Sequence, residues 1–543
     1  MNGVSSDPIG RSEERRWGMV VDVNRCVGCQ TCTIACKHAN DTVPGVQWRR
    51  VLDVETGAFP DVERVFMVVG CQHCAEPPCV PVCPTGATKQ RADGLVTMDY
   101  DLCIGCASCA VACPYQARTI VHDKEFYFGT ETLQEEAVAH DERFGVAQKC
   151  TFCIDRVDDG VAAGLSPGVD PDATPACAAS CIASAIQFGD FNDPGSHVSR
   201  LVEENSHFQM HSELGTDPQI KYLYETPAVP GRDLNEADTG DEAMSDPANP
   251  LVGQPQPFWD MRAAMNFILG GFGAGMIVIA YLLHLFAGLD GATLAKMNLG
   301  AAGIIAAGLF FVWLKIGRKL RAPLAILRPQ TSWMSREIYA VGVLYPAIAA
   351  GFWWQLPSLH LVAAAAALVF LYCQAKILHT AKGIPTWRVP MMPAMLVATG
   401  LYEGAGLSAI VFAVYGISFE GGFLLPLAGI LLGLINYGLW RMYVRGAKAN
   451  GIGPLSRGIL ESSTATLNVS GHLIPVVLFA AAAAWASVPV WVLGAAGVFV
   501  LIGGGFWKAL VITRACHQQG YAFTKFPQRG SGSLAAPSIM DRG

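Results

Sequence analysis

The feature that most limits what this chain can become is the rhythm of its cysteines. Sixteen of the 18 fall before residue 182, in four runs. Cys26, Cys29, Cys32 and Cys36 are separated by two, two and three residues, and so are Cys103, Cys106, Cys109 and Cys113. Cys71, Cys74, Cys79 and Cys83 are separated by two, four and three, and a split run holds Cys150 with Cys153 and Cys177 with Cys181. Disulfide frameworks do not repeat such a pattern, whereas closely spaced thiolates wrap an iron–sulfur cluster in a tight loop. Two-two-three followed by proline, as at Cys113-Pro114, is the bacterial ferredoxin run, whose fourth cysteine reaches the neighbouring cluster. Zinc is the rival for an isolated C-x2-C pair, and four consecutive quartets leave it little room.

Sixteen thiolates make four [4Fe–4S] sites in two ferredoxin-like pairs. The adjacent second and third runs are expected to exchange their last ligands, giving Cys71, Cys74, Cys79 with Cys113, and Cys103, Cys106, Cys109 with Cys83. The first and fourth then pair as Cys26, Cys29, Cys32 with Cys181, and Cys150, Cys153, Cys177 with Cys36. Cys373 and Cys516 fit no run and read as inert apolar residues. Short strands are expected at 19–23 and 94–101, leading into cluster loops. Inserts at 37–70 and 120–149 are expected to cover clusters and face a partner.

The chain changes character after residue 257. Residues 227–257 carry six acidic residues and one Arg without hydrophobic periodicity, and read as a solvated acidic linker. Residues 258–516 are nearly continuous apolar stretches, and a spanning helix needs about 20 such residues. Eight segments qualify: 264–288, 297–316, 337–356, 359–379, 392–416, 423–442, 468–487 and 490–512. Near-side connections and the C-terminal end carry 18 Lys and Arg, among them Arg318, Arg321, Lys382 and Lys508, against Lys296 alone on the far side. By the positive-inside rule the near side is cytoplasmic, with the cluster domain and both termini there. The N-terminus has no apolar stretch before the first cysteine, so no secretory signal is expected, and Arg15-Arg16 alone does not make one. The expected fold is thus an α+β double ferredoxin-like four-cluster domain (1–226), a linker (227–257), an all-α eight-helix transmembrane bundle (258–516) and a cytoplasmic tail (517–543). The net charge of −7, with no basic aromatic patch, argues against a nucleic-acid partner.

The first half resembles the four-cluster electron-transfer subunits of the DMSO reductase family of molybdenum enzymes. KCTFCIDRV (149–157), TPAC (174–177) and HSELGTDPQIKYL (211–223) carry the likeness, which runs from about residue 17 to 226. Ile182 departs from it, standing where Pro commonly follows the last cysteine. The second half looks like the family's eight-helix anchor, which binds quinone without haem, on LKIGRKLRAP (314–323), SWMSRE (332–337) and IPTWRVPMMP (384–393). His379 and His472 are the only histidines at similar depth, and no haem is expected. The resemblance implies a fused electron-transfer and anchor subunit, a molybdopterin catalytic subunit as partner, and ubiquinone or menaquinone in the bilayer. Among such relatives the chain most resembles sulfite dehydrogenases of the cytoplasmic kind, which reduce quinone.

The resemblance also places the quinone acid at Glu337 and a cation at Arg321, with Lys315 where the family has His. A quinone taking two electrons needs two protons, which a membrane-edge carboxylate relays while a cation polarises the carbonyl. It implies further that the cluster of Cys103, Cys106, Cys109 and Cys83 lies nearest the quinone, with Pro84 and Thr85 lining the approach. The cluster of Cys26, Cys29, Cys32 and Cys181 would face the catalytic partner. Glu403, in mid-helix, reads equally as a second relay or a buried hydrogen-bonding group. The sequence holds no dinucleotide fingerprint, catalytic triad or pterin-binding domain, so substrate chemistry is assigned to another chain.

Overall fold

The computed structural model describes residues 15–58, 61–224, 242–418, 420–484 and 489–521. Residues 227–241 of the expected linker and 522–543 of the expected tail therefore lie outside the described residues. The cluster half is built on a four-stranded sheet of β1 (Trp17–Asp22), β2 (Ile186–Asp190), β3 (His207–Phe208) and β4 (Ile220–Leu223), in the order β2-β1-β4-β3. β1 is buried throughout and runs parallel to β4 but antiparallel to β2, with Met19 opposite both Ile220 and Phe188. Its apolar residues, buried on both faces, suit a central strand. This pairing explains how distant cysteine runs meet. β1 leads into the first run, β2 leaves the fourth, and their register lays Cys26–Cys36 beside Cys177 and Cys181.

The insert at 37–70 forms a long hairpin, Arg49–Ala58 against Asp61–Gly70, with Arg49 opposite Gly70. Smaller pairs, Thr88–Gln90 with Val96–Met98 and Thr119–Ile120 with Ala147–Gln148, clamp the second, third and fourth runs. The first and third cysteine loops share a backbone signature. Gly28 and Gln30 in one, and Gly105 and Ala107 in the other, are left-handed, and each loop then turns into a helix (Thr31–Ala39 and Ser108–Ala112). Such a loop curls around a centre rather than extending past it.

Among the described residues eight long helices follow: α1 (Met261–Ala287), α2 (Gly291–Lys315), α3 (Trp333–Trp354), α4 (Pro357–His379), α5 (Met392–Tyr415), α6 (Leu424–Arg445), α7 (Pro454–Ala484) and α8 (Val490–Thr513). Seven are long and apolar enough to cross a membrane, so the chain is a multi-pass membrane protein. The remaining helix, α3, opens on the polar turn Ser335-Arg336-Glu337, which lowers its hydropathy. α7 is interrupted by a π-helical stretch, Leu467–Leu473. Small residues let the helices close up: a Cβ at Gly275 would lie 1.8 Å from the Gly400 carbonyl, and one at Gly497 would lie 2.2 Å from that of Gly406.

The two halves share a core. Ala107, Ala110 and Val111 of the third cysteine run pack in one apolar cluster with Trp259, Ala375, Trp387, Met392 and Trp507 of the bundle. Cations cross the same boundary. Arg318 donates to the carbonyls of Phe144 (2.8 Å) and Asp141 (2.7 Å), and Lys382 to that of Leu214 (3.1 Å). Beyond α8, the Gln519 carbonyl accepts from Gln116 Nε2 (3.1 Å) and the Gly520 carbonyl bonds His211 (2.6 Å). The ends of α2, α4 and α8 and the starts of α1 and α3 therefore all lie at the cluster half.

Lys508 is a correction to the charge map. It is not a surface cation at the near side: it is 1% exposed and pairs with Glu403 at 2.6 Å. Charged groups at helix ends serve topology, but one pointing into the bundle must find a counter-charge.

Candidate functional site

The sixteen cysteines collect into four quartets. Cys26, Cys29, Cys32 and Cys181 line one hollow, and Cys71, Cys74, Cys79 and Cys113 line another, each of ≈ 320 Å³ counting its mouth. Burial raises the Cys36 thiol strongly, and Cys150 and Cys177 raise it further, so these three are neighbours. Cys177 is pushed up to about 12 by burial, against the opposing charge of Arg49, with Cys150 and Cys153 adding to the rise. Cys106 rises to about 11 through burial and the nearby Cys83 and Cys103. Thiols gathered in this way do not ionise together unless a metal supplies positive charge. Among the described residues no group of three or more His, Cys, Asp or Glu suits a single metal ion. Four thiols lining one hollow are the donor set that an iron–sulfur cluster takes.

Polar groups aim at the sulfurs. Phe152 N–H points to Cys150 Sγ (3.4 Å), Ala185 N–H to Cys181 Sγ (3.3 Å), and Asn40 Nδ2 to both Cys36 (3.8 Å) and Cys153 (3.7 Å). Hydrogen bonds of this kind tune cluster potentials. Cys29 is exposed, and Val27, Ile34 and Ile182, at 53%, 66% and 72% exposure, stand around that quartet.

The quartet of Cys83, Cys103, Cys106 and Cys109 faces the membrane half. Trp259 Nε1 donates to the Cys106 carbonyl (3.0 Å), and the Arg318 N–H to the Ile104 carbonyl (3.0 Å). Arg321 donates to the carbonyls of Tyr100 (2.6 Å) and Cys103 (3.4 Å) and pairs with Asp101, so it holds the cluster loop. Lys315, 8% exposed at the end of α2, lies within electrostatic reach of Cys106 and Cys109. Pro84 accepts from Ser335 Oγ (3.3 Å), and Thr85 Oγ1 lies 3.6 Å from Cys83 Sγ.

Between this quartet and the bundle runs a narrow cleft of ≈ 270 Å³ counting its mouth. Val82, Ser108 and Val111 line it from the cluster side, and Trp259, Ser332, Trp333, Met334, Ile377, Thr380 and Ala381 from the membrane side. Glu337 sits one helical turn below Trp333 and Met334 on α3, 4% exposed. Its carboxyl accepts from Asn266 Nδ2 and Gln374 Nε2, both at 3.2 Å. Gln374 lies one turn below Ile377 on α4, so the two helices turn the same faces to cleft and carboxyl. Sequence reasoning passed over Asn266 and Gln374, though lone amides inside apolar segments are a usable signal.

The 4Fe-4S dicluster domain family matches residues 62–128. One subunit of the selenate reductase of Mesobacillus selenatarsenatis is 38% identical over 226 residues, covering 39% of this chain and 72% of that protein. One subunit of the sulfite dehydrogenase of Allochromatium vinosum is 41% identical, covering 38% and 81%. The chain belongs to the iron–sulfur subunits of molybdoenzyme complexes. The iron–sulfur cluster-binding subunit of the menaquinone reductase of Nitratidesulfovibrio vulgaris is also similar, at 35% identity over 38% of this chain and 88% of that one. As a member of that family the chain is an electron-transfer protein with [4Fe–4S] clusters. Each match covers 38–39% of this chain, a length close to that of the cluster half alone.

Proposed function

We propose that this chain passes electrons between a molybdopterin catalytic subunit and a membrane quinone through four [4Fe–4S] clusters, and anchors that partner to the bilayer. The cleft carries the reading. It lies between the loops of the last cysteine quartet and the bundle, and Glu337 sits one helical turn from its lining residues Trp333 and Met334. When bound there, quinone supplies two-electron, two-proton redox chemistry. Trp259 and Trp333 would border the head group, Ser108 and Thr380 would offer hydrogen bonds, and Glu337, oriented by Asn266 and Gln374, would pass protons. Lys315 stabilises negative charge on the cluster side, and Arg321 keeps the cluster loop seated.

At the other end, exposed Cys29 and the apolar rim of Val27, Ile34 and Ile182 suit docking of the catalytic subunit. α3 is read as an eighth span. Its 22 residues cover about 33 Å at 1.5 Å each, enough for a bilayer core, and it leaves the side to which α4 returns. With eight spans the bundle starts and ends on the side of the cluster half, which the distribution of Lys and Arg makes cytoplasmic. Sulfite is the proposed substrate of the partner, on the relative at 41% identity; its oxidation with water to sulfate releases the two electrons and two protons that a quinone takes up.

The test is purification of the complex from membranes with metal analysis and quinone reduction. Expected are about sixteen iron per chain, a molybdenum-bearing partner, and sulfite-dependent quinone reduction. Glu337→Gln should cut that reduction by roughly 10²-fold or more while the clusters still reduce normally. Full quinone turnover in Glu337→Gln would remove the carboxyl from the mechanism, and absence of molybdenum would overturn the partner.

A further inference from the structure

Three buried cations lie between successive quartets, one in each gap. Arg49, 0% exposed, interacts electrostatically with Cys32 of the first quartet and with Cys36, Cys150 and Cys177 of the second. Lys149, also 0% exposed, interacts with Cys150 of the second and with Cys71 and Cys79 of the third. Arg118, 4% exposed, interacts with Cys71, Cys79 and Cys113 of the third and with Cys103 and Cys109 of the fourth. The three come from different parts of the chain: the hairpin's first residue, the residue before Cys150, and the residue that precedes the strand after the third run.

None of the three forms an ion pair with a carboxylate among the described residues. Arg49 Nη2 reaches Met19 Sδ (3.2 Å) and Cys150 Sγ (4.0 Å), and its Nε and Nη1 have no partner. Gly70 opens the space: a Cβ there would lie 3.2 Å from Arg49 Nη1. Arg118 Nη1 donates to Thr88 Oγ1 (3.1 Å), and its Nη2 has no partner. Lys149 Nζ donates to the Val96 carbonyl and to that of Cys150 (2.7 Å). His73, beside Lys149, adds no charge. Its Nδ1 accepts from the Val96 N–H, which leaves Nε2 to donate to the Cys150 carbonyl (3.1 Å). Bare cations in a dry core are untenable unless an anion faces them. The anions within reach are cluster thiolates.

We propose that Arg49, Lys149 and Arg118 are the counter-charges of the electron path, each setting the potentials of the two clusters between which it lies. The proposal rests on the four-cluster reading above. A cluster held by four thiolates is net negative and gains a further charge on reduction, so a cation in the gap favours the reduced form on both sides. It also screens one reduced cluster from the next, so that an electron on one opposes less the arrival of another.

The experiment is an EPR-monitored redox titration of the full chain in detergent micelles, wild type against Arg49→Met, Lys149→Met and Arg118→Met, with iron content measured on each sample. Each substitution should lower the midpoint potentials of its two flanking clusters and leave the other two unmoved. Arg49→Lys and Lys149→Arg should stay near wild type. Loss of only the two flanking clusters, with the charge-keeping variant loaded, would also support the role. Unshifted potentials in a fully loaded variant, or an equal shift of all four, would overturn it, as would loss of clusters in neutral and charge-keeping variants alike. Wild-type protein with fewer than four clusters would instead sink the four-cluster reading and leave any measured shift to be judged on the clusters present.

Discussion

Glu403 and Lys508 form the most consequential contact inside the bundle, and removing one partner should be far worse than removing both. The two are 0% and 1% exposed, and Lys508 Nζ lies 2.6 Å from Glu403 Oε2 and 2.9 Å from the Phe267 carbonyl. The contact therefore ties α8 to α5 and α1. Gly271 and Gly504 make room for it, since a Cβ at either would fall within 2.3 Å of a Glu403 carboxyl oxygen. At 2.6 Å and an effective dielectric constant near 20, the attraction is about 6 kcal/mol, set against the loss of hydration of both groups. Breaking one side of such a buried pair costs about 3–5 kcal/mol, whereas replacing both groups is near neutral. Lys508→Met and Glu403→Gln should each destabilise by that amount, and the double variant should return to within about 1 kcal/mol of wild type. Equilibrium unfolding in mixed detergent micelles reads all four corners of the cycle. Additive single effects would refute the reasoning. The same double variant decides between the two roles that the sequence leaves open for Glu403: retained quinone turnover marks a structural lock, and lost turnover in a stable protein marks a proton relay.

Gly105 holds φ +70°, and a Cβ there would lie 2.0 Å from the Gly145 carbonyl, so Gly105→Val should cost the chain one cluster, roughly a quarter of its iron by elemental analysis. Arg318→Ala leaves the carbonyls of Asp141 and Phe144 without their donor; faster amide exchange over 141–147 is expected, with a stability loss of about 1–2 kcal/mol given partial exposure. Ile34→Glu with Ile182→Glu places charge on the apolar rim beside Cys29 and should release the catalytic partner during purification while iron content stays at the wild-type level. Full co-purification would move the docking surface elsewhere.

What the sequence made legible divides along a physical line. Cysteine spacing is covalent and local, so the runs could be read directly. The apolar segments were legible for the same reason: hydropathy over some 20 residues is a property of the chain itself. Pairing across the bundle is not. Lys508 looked like one more near-side cation because its sequence neighbours say nothing of Glu403, more than a hundred residues away. Arg321, which the resemblance puts at the quinone site, also bonds the Tyr100 and Cys103 carbonyls, a contact that docking of the two halves creates and no local pattern shows. Arg49, Lys149 and Arg118 drew no reading of their own from the sequence, because the hairpin that Arg49 opens and the strand pair Thr88–Gln90 with Val96–Met98, which Arg118 and Lys149 bond, form only in the fold. Unlike Lys508, which has Glu403, these three cations are recognised by what they lack: a carboxylate partner in a place without water. Where such a cation occurs in a chain rich in cysteine thiolates, the cluster is its partner, and the charge belongs to the redox chemistry rather than to the surface.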